Sequence, residues 1–371
     1  MDDTLVLHLS EYGLLVPKPE RDAWGRLSIY ESADLVRRRL SDRHGRQPSV
    51  DKSREVAAHV TQGRQYFEAA RNAQALVRPL VLYYGVLALS RATILCSHGG
   101  LREATLSKAH GVECPGWSDI LAQDLRNLPQ VSLRLTNGTF AQLIRATWNV
   151  ERLLVYRDHR LRLTRSQVGS KDLISPKPTL TLRSVLARIP DLLFDYQVAF
   201  NELGKCYPAY VQVYPDVQTD YYLVKTNLDL AAAEDIRTNF GLHPDVVISQ
   251  EENYYPLGSV EGLRFYVSTS NSPPSMIDHV VPLSNDNRDF PYLVEPFADG
   301  LILSSMSLLF LVSFSAGMLV RYHPSRWADL MSRGLGDAVL PLLNNALTLV
   351  ERRFPDLVLD EIEKGRVPSP K

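Results

Sequence analysis

The sequence predicts an α+β protein, predominantly helical, in which helical N- and C-terminal parts pack together with a strand-rich middle region. Three observations predict it. Apolar residues recur at a helical period before residue 98 and again after residue 301. Between 129 and 300, short segments alternate apolar and polar residues as half-buried strands do. Of 371 residues, 45% are hydrophobic and 22% charged, which suits a sizeable core. The expected regions are 1–128, helical; 129–300, mixed and strand-rich; and 301–371, helical and packed on the first.

Ser28 to Gly45 reads as a polar helix carrying the run Arg37, Arg38 and Arg39. Ser49 caps the next helix, where Val56, Val60, Tyr66, Phe67 and Ala70 fall at a helical period and Asp51 complements the helix dipole. Pro79 opens a third helix and Gly99-Gly100 stops it. Its apolar positions, Leu80, Val81, Leu82, Val86, Leu87, Leu89, Ile94 and Leu95, are too many for one face, so burial on all sides is expected. Tyr83-Tyr84-Gly85 within it suggests a close helix crossing, Gly85 letting a backbone approach.

In the middle region VSLRLT at 131–136 and RDHRLRLTR at 157–165 read as strands. Helices are expected at Thr139–Trp148 and at Leu180–Phe200, the latter interrupted by Pro190. AYVQVYP, YYLVKTN, DVVISQ and LRFYVST are further strands, with a short helix closed by Gly241 and a Pro273-Pro274 loop. Leu301 to Val320 carries no charge over twenty residues, long enough to span a bilayer. Its five serines and Gly317, with no aromatic belt and no basic flank at its start, favour a central helix buried on all sides. Pro324 starts the next helix, and two more are expected on either side of Pro355, before a frayed GRVPSPK tail.

Lys and Arg total 41 against 42 Asp and Glu, a net charge of −1, so no overall polyanion- or polycation-binding character follows from composition. Cys96, Cys114 and Cys206 are odd in number and widely spaced, which speaks against a disulfide framework or structural zinc and for a reducing cytoplasm. MDDTLVLHLSEYG places acids where a secretory signal carries basic residues. No phosphate-binding loop, dinucleotide fingerprint, nucleophile elbow or HEXXH zinc motif is present. Neither a cofactor nor a metal is expected. Cys96 and His98 lack further ligands at a convincing spacing, and Glu251-Glu252 and Asp360-Glu361 read as solvated faces.

Three stretches resemble the YaaC-like family of bacterial proteins: VTQGRQYFEAA from Val60, VRPLVLYYGVLALSRATIL from Val77, and the apolar helix through RYHPSRWADLM to PLLNNALTLVERRFP. HGVE at His110 and NGTF at Asn137 fit more weakly between them. The resemblance implies the fold and a bacterial cytoplasmic setting, and brings no catalytic residues with it.

Three candidate sites emerge. The first is basic. From Arg145 to Lys171 there are seven positive and two negative residues, with Trp148 and Tyr156 interleaved. Arg160 and Arg162 share one strand face, and with Arg152, Arg157 and Arg165 they form a candidate nucleic-acid or anion-binding surface. A solvated strand face or an internal interface accounts for the same residues. The second is catalytic. An Arg followed after four to six residues by a His resembles HEPN-type ribonucleases of toxin and phage-defence systems, whose chemistry needs a base for the ribose 2′-hydroxyl and a cation for the phosphate. Arg37, Arg38 or Arg39 with His44, Arg54 with His59, Arg91 with His98, and Arg152 with His159 all match. At about 100° per residue, a spacing of five puts the two side chains roughly 140° apart on a helix and a spacing of seven returns to nearly one face; Arg91 and His98 have that spacing, on the most apolar helix. An Arg91 paired with a buried acid and a His98 capping the helix end explain the pair structurally. The third is a pocket near Tyr83, Tyr84, Arg321, Tyr322, His323 and Trp327, a cluster that also reads as a structural corner.

Two function classes stay open: a binding or assembly protein, homo-oligomeric through its helical part, that takes RNA, another anionic ligand or a partner protein away from any membrane; and a metal-independent ribonuclease effector using Arg91 and His98.

Overall fold

The computed structural model describes residues 23–157, 160–167, 177–214, 221–226, 233–242, 247–255, 258–268, 280–282, 291–332 and 337–363. The expected Pro273-Pro274 loop and GRVPSPK tail lie outside them. The fold is predominantly helical α+β.

Helix α1 (Ala23–Leu27) leads into α2 (Ala33–His44), capped by the Ser32 hydroxyl accepting from Leu35 N and closed by Gly45 at φ +64°. The sequence places the start of this helix at Ser28; residues 28–31 instead form a 3-10 turn ahead of the Ser32 cap. Helix α3 (Val50–Asn72) and helix α4 (Arg78–Ser97) form a tight hairpin. Two glycines make the close approach. A methyl group on Gly85 would sit 2.6 Å from Phe67 Cδ2, and one on Gly63 would sit 2.7 Å from Leu89 Cδ2. α4 is buried on nearly all sides because α10 (Ser305–Tyr322), α12 (Leu340–Ile362) and α6 (Thr139–Thr147) cover what α3 leaves open. α10 is buried from Met306 to Val320, and its Gly317 lies against Tyr83. By length and apolarity both α4 and α10 could cross a membrane; in this fold both are mostly buried in the protein interior.

α11 (Pro324–Met331) follows α10. α12 then runs unbroken through Pro355, where the sequence predicts two helices. Proline deletes one amide donor and crowds the preceding turn. Here Phe354, Pro355, Val358, Leu359 and Ile362 are all buried in the core, and that packing holds the two halves in line.

The described strands form two sheets. β1 (Val112–Glu113), β2 (Ser132–Leu135) and β5 (Thr179–Thr181) make a small antiparallel sheet in the order β1-β2-β5. Its start at Thr179 shortens the helix expected over Leu180–Phe200. That segment resolves into β5, α7 (Leu182–Leu186) and α8 (Leu193–Phe200), with the Thr181 hydroxyl capping α7. α5 (Trp117–Gln123) lies between β1 and β2. This sheet and α5 to α7 share one continuous core with the terminal helices, from Ala23 to Tyr196 and from Phe297 to Ile362.

The larger sheet contains β3 (Val150–Arg157), β4 (Arg160–Gln167), β6 (Cys206–Tyr214), β7 (Tyr221–Thr226), β8 (Val247–Tyr255), β9 (Gly258–Ser268), β10 (Val280–Pro282) and β11 (Pro291–Val294), with α9 (Ala233–Phe240) between β7 and β8. Its path is β10-β11-β6-β7-β9-β8, and β3 joins β6 in parallel through Tyr156↔Gln212 and Arg157↔Val213. β4 pairs only with β3 among the described residues. Arg188 ties this sheet to the helical part. Its guanidinium donates to the carbonyls of Ser184 (2.9 Å), Glu295 (2.8 Å) and Pro296 (2.7 Å) and stacks on the Phe297 ring.

Candidate functional site

The residues singled out by the sequence fall into three places. Tyr83, in α4, is wholly buried between Phe310 and Phe314 of α10, its ring edge-on to both. Its hydroxyl lies 2.6 Å from His110 Nδ1. A buried phenol needs an acceptor for its proton, and Tyr83 has no other partner among the described residues. The O–H therefore donates to Nδ1, which leaves the proton of the neutral imidazole on Nε2.

His110 is held there by the two short motifs that bracket it. Gly111 (φ +85°) and Gly138 touch backbone to backbone: a methyl group on Gly138 would meet Gly111 N at 2.2 Å. Across this contact Thr139 N donates to Ala109 O, Phe140 N to His110 O and Thr136 N to Gly111 O, each at 2.9 Å. The first amides of α6 are thus satisfied by the HGVE loop. HGVE and NGTF, 27 residues apart in the chain, form one unit whose product is a fixed histidine.

Two arginines act electrostatically on that histidine. Burial is the main cause that lowers the His110 pKa, and Arg321 and Arg91 lower it further. The imidazole is consequently neutral at pH 7. Arg321, in the last turn of α10, donates to the Tyr84 hydroxyl at 3.3 Å and stacks on its neighbour Tyr322. Arg91, half-buried on α4, has a fully buried Nε with no hydrogen-bond partner. Neither arginine forms an ion pair among the described residues. The expected acid partner for Arg91 is therefore not seen.

On its other side Arg91 acts electrostatically on His59 of α3. His59 is buried, which lowers its pKa, and its Nε2 lies 3.5 Å from Glu103 Oε1, placed too poorly for a hydrogen bond. His98 is elsewhere in character. α4 ends at Ser97, and His98 follows as an exposed, extended cap residue, so the helical angle that aligned it with Arg91 does not extend to it. Its carbonyl accepts from the buried Lys52 Nζ at 2.7 Å. The remaining pocket candidates diverge. His323 tilts against the Trp117 ring, and Trp327 is buried with Nε1 donating to Ala75 O. Tyr83, Tyr84 and Arg321 come together, His110 joins them through Tyr83, and Tyr322 flanks Arg321 on an exposed face.

The five candidate anion-binding arginines lie on the β3–β4 hairpin. Register pairs Arg157 with Arg160, Val155 with Arg162 and Arg152 with Arg165. Directly opposed residues share a sheet face, and alternate residues along a strand do too. Arg157, Arg160 and Arg162 therefore occupy one face, and Arg152 and Arg165 the other.

No group of three or more His, Cys, Asp or Glu able to hold a metal occurs among the described residues. Cys96, Cys114 and Cys206 are free thiols. Burial pushes Cys96 up to about 11 and Cys114 up to about 12, so neither is a thiolate at neutral pH. His110 was legible only as part of a short motif; nothing in the sequence pairs it with Tyr83. No curated protein and no solved structure matches the chain. The family model of the YaaC-like proteins matches residues 28–362, nearly the whole length, and includes every helix of the core from α2 to α12. The chain belongs to the YaaC-like family.

Proposed function

We propose that this chain is a bacterial cytoplasmic RNA-binding protein that meets the phosphate backbone with the β3–β4 hairpin. The carrying observation is the register that gathers Arg157, Arg160 and Arg162 on one face of a strand pair. Alternate residues on a strand stand about 7 Å apart, a repeat along which successive phosphates can be met. Contacts of this kind supply affinity and register rather than sequence specificity. Charged residues also protect an edge strand such as β4 from pairing with other chains. Fluorescence anisotropy with labelled tRNA separates the two roles. The Arg157/Arg160/Arg162→Ser variant is expected to lose at least tenfold in affinity, and Arg152→Ser with Arg165→Ser much less. Unchanged RNA affinity with new aggregation would assign the arginines to edge protection.

Self-association is part of this reading. Phe194 and Val198, one turn apart on α8, and Leu203 are 77%, 69% and 69% exposed, an apolar stripe suited to a second copy. Sedimentation of wild type and Phe194→Asp tests it: a shift to the monomer supports the stripe, and an unchanged species removes it.

One observation favours a second reading, metal-independent RNA cleavage. Arg91 Nε is buried and unpartnered, within electrostatic reach of His59 and His110. Cleavage of total RNA in the presence of chelator that disappears in a folded Arg91→Met variant would establish it. No cleavage by wild type would leave binding as the activity.

A further inference from the structure

We propose that residues 98–107 form a strap that opens from α3 as one unit when His59 takes up a proton. The strap leaves the end of α4 through Gly99-Gly100, runs along α3 and is fixed again at α6, where Ser107 N donates to Gln142 Oε1 at 2.9 Å. No residue from Ser97 to His110 is buried, and Leu101 and Leu106 pack only partly against the core. Polar groups hold the strap instead. Lys52, Glu55 and His59 are spaced by three and four residues, so they share the face of α3 that lies under it. The buried Lys52 ammonium donates to His98 O at 2.7 Å and to Leu101 O. Glu55 accepts from Arg102 Nε at 3.0 Å, Arg102 Nη2 at 2.7 Å and Glu103 N at 2.9 Å. Arg102 also lies 3.6 Å from Asp51.

His59 is the weak member of this face. It is 6% exposed, and its Nε2, 3.5 Å from Glu103 Oε1, makes no hydrogen bond. The charged groups that face it are Glu103 from the strap, Arg91 from α4 and Glu55 on its own helix. Burial is the largest influence and holds its pKa below the ordinary value, against the pull of the two acids. The open strap lets the ring reach water and bind a proton near pH 6.5, and the closed strap resists that proton. Closure is therefore fully supported above about pH 6.5 and weakens as pH falls through the lowered closed-state value. One such group shifts the balance between open and closed forms by at most about tenfold between pH 7.5 and 5.5. Gly99-Gly100 permits the bend at one end, and the Gly111–Gly138 contact beyond the other end confines the movement to the strap.

Amide hydrogen exchange of the full chain, read by mass spectrometry and corrected for the intrinsic effect of pH, tests this. The amides of Leu101, Glu103, Thr105, Leu106 and Ser107 are each hydrogen-bonded in the closed form, and they should exchange together and faster than those of α3 and α4. Their protection should fall several-fold, and by no more than about tenfold, from pH 7.5 to 5.5, beyond any fall in α4. His44 and His110, near the two ends of the strap, also have lowered pKa values, so a variant is needed to isolate His59. His59→Gln should lose most of the fall. Glu55→Gln should open the strap several-fold at every pH while keeping the fall, and it holds the test open if His59→Gln does not fold. Raising salt from about 0.05 M to about 0.5 M should loosen the strap through the partly exposed Arg102 pairs and leave α4 unchanged. Strap protection that equals that of α4 at every pH would overturn the proposal. So would protection that does not change with pH in either wild type or Glu55→Gln, or a fall that persists undiminished in folded His59→Gln.

Discussion

Gly85→Ala tests the helix crossing on which the core and the Tyr83 site both depend. The added methyl carbon would sit 2.6 Å from Phe67 Cδ2, 2.9 Å from Phe67 Cε2 and 3.2 Å from Tyr66 Cβ. Carbon atoms prefer about 3.5–4.0 Å, so the ring must retreat by roughly an ångström. It has little room: Phe67 is wholly buried, and Trp24 stands edge-on to it at 5.2 Å between centroids. Against this, alanine is favoured over glycine within a helix by about 1 kcal/mol. Overpacking of a dense core costs about 1–3 kcal/mol, and two contacts under 3.0 Å on a trapped ring place this case at the upper end. The net expectation is a loss of about 1–2 kcal/mol. Urea unfolding followed by both tryptophan fluorescence and circular dichroism reads it. With a slope of about 3 kcal/mol/M the midpoint falls by about 0.5 M. Phe67→Leu should cost stability alone yet recover part of the loss in the Gly85→Ala background, because the two changes share one contact. Gly100→Ala is the control, since its methyl would meet nothing within 4 Å; it should stay within about 0.5 kcal/mol. A Gly85→Ala midpoint at or above wild type would refute the close crossing.

Three further outcomes are expected. Arg188→Ala strands three backbone carbonyls and a buried stacking site, and should cost about 3 kcal/mol or more by chemical denaturation; a loss under 1 kcal/mol would show that the joint between helices and sheet does not depend on it. Asn149→Ala removes a carboxamide that donates to Ile302 O and accepts from Ser304 N, both at 2.9 Å, and should raise amide exchange at the start of α10; exchange equal to wild type would remove that clamp. Burial lowers the pKa of His44, His59 and His110, so the unfolded chain binds protons that the folded chain resists. Their contribution is complete above about pH 6.5 and is lost as pH falls through the lowered folded-state values. Melting temperature at constant ionic strength should therefore drop from pH 7.5 to 5.5, and His59→Gln should flatten that slope; a profile flat over this range in the wild type would contradict the burial of these rings.

The fold was legible where local pattern and tertiary role coincide. The unbroken apolar content of α4 announced burial on all sides, and Gly85 after two aromatics announced a close approach. Pro355 misled because its cost is local and the packing that offsets it is not. Buried cations were illegible for a related reason. Arg43 donates to the Glu361 and Ile362 carbonyls, and Lys52 to those of His98 and Leu101, yet in sequence each reads as an ordinary surface charge. Burial brings the Lys52 ammonium down to about 8. The candidate site was half legible. Tyr83, Tyr84 and Arg321 stood out by composition and position. His110 meets Tyr83 only because two glycine backbones touch, a contact between loops that no periodicity encodes. Strand alternation placed Arg160 with Arg162, and only the hairpin register added Arg157 and moved Arg152 and Arg165 to the opposite face.

The salt dependence of RNA binding tests the central proposal most directly. Each phosphate neutralised on single-stranded RNA contributes about −0.7 to the slope of log affinity against log salt. The Arg157/Arg160/Arg162→Ser variant should therefore bind more weakly at every salt concentration, with a slope shallower than wild type by about 2. A wild type that does not bind RNA, or a variant whose affinity and slope equal those of wild type, would contradict the assignment of the hairpin as the phosphate-contacting surface.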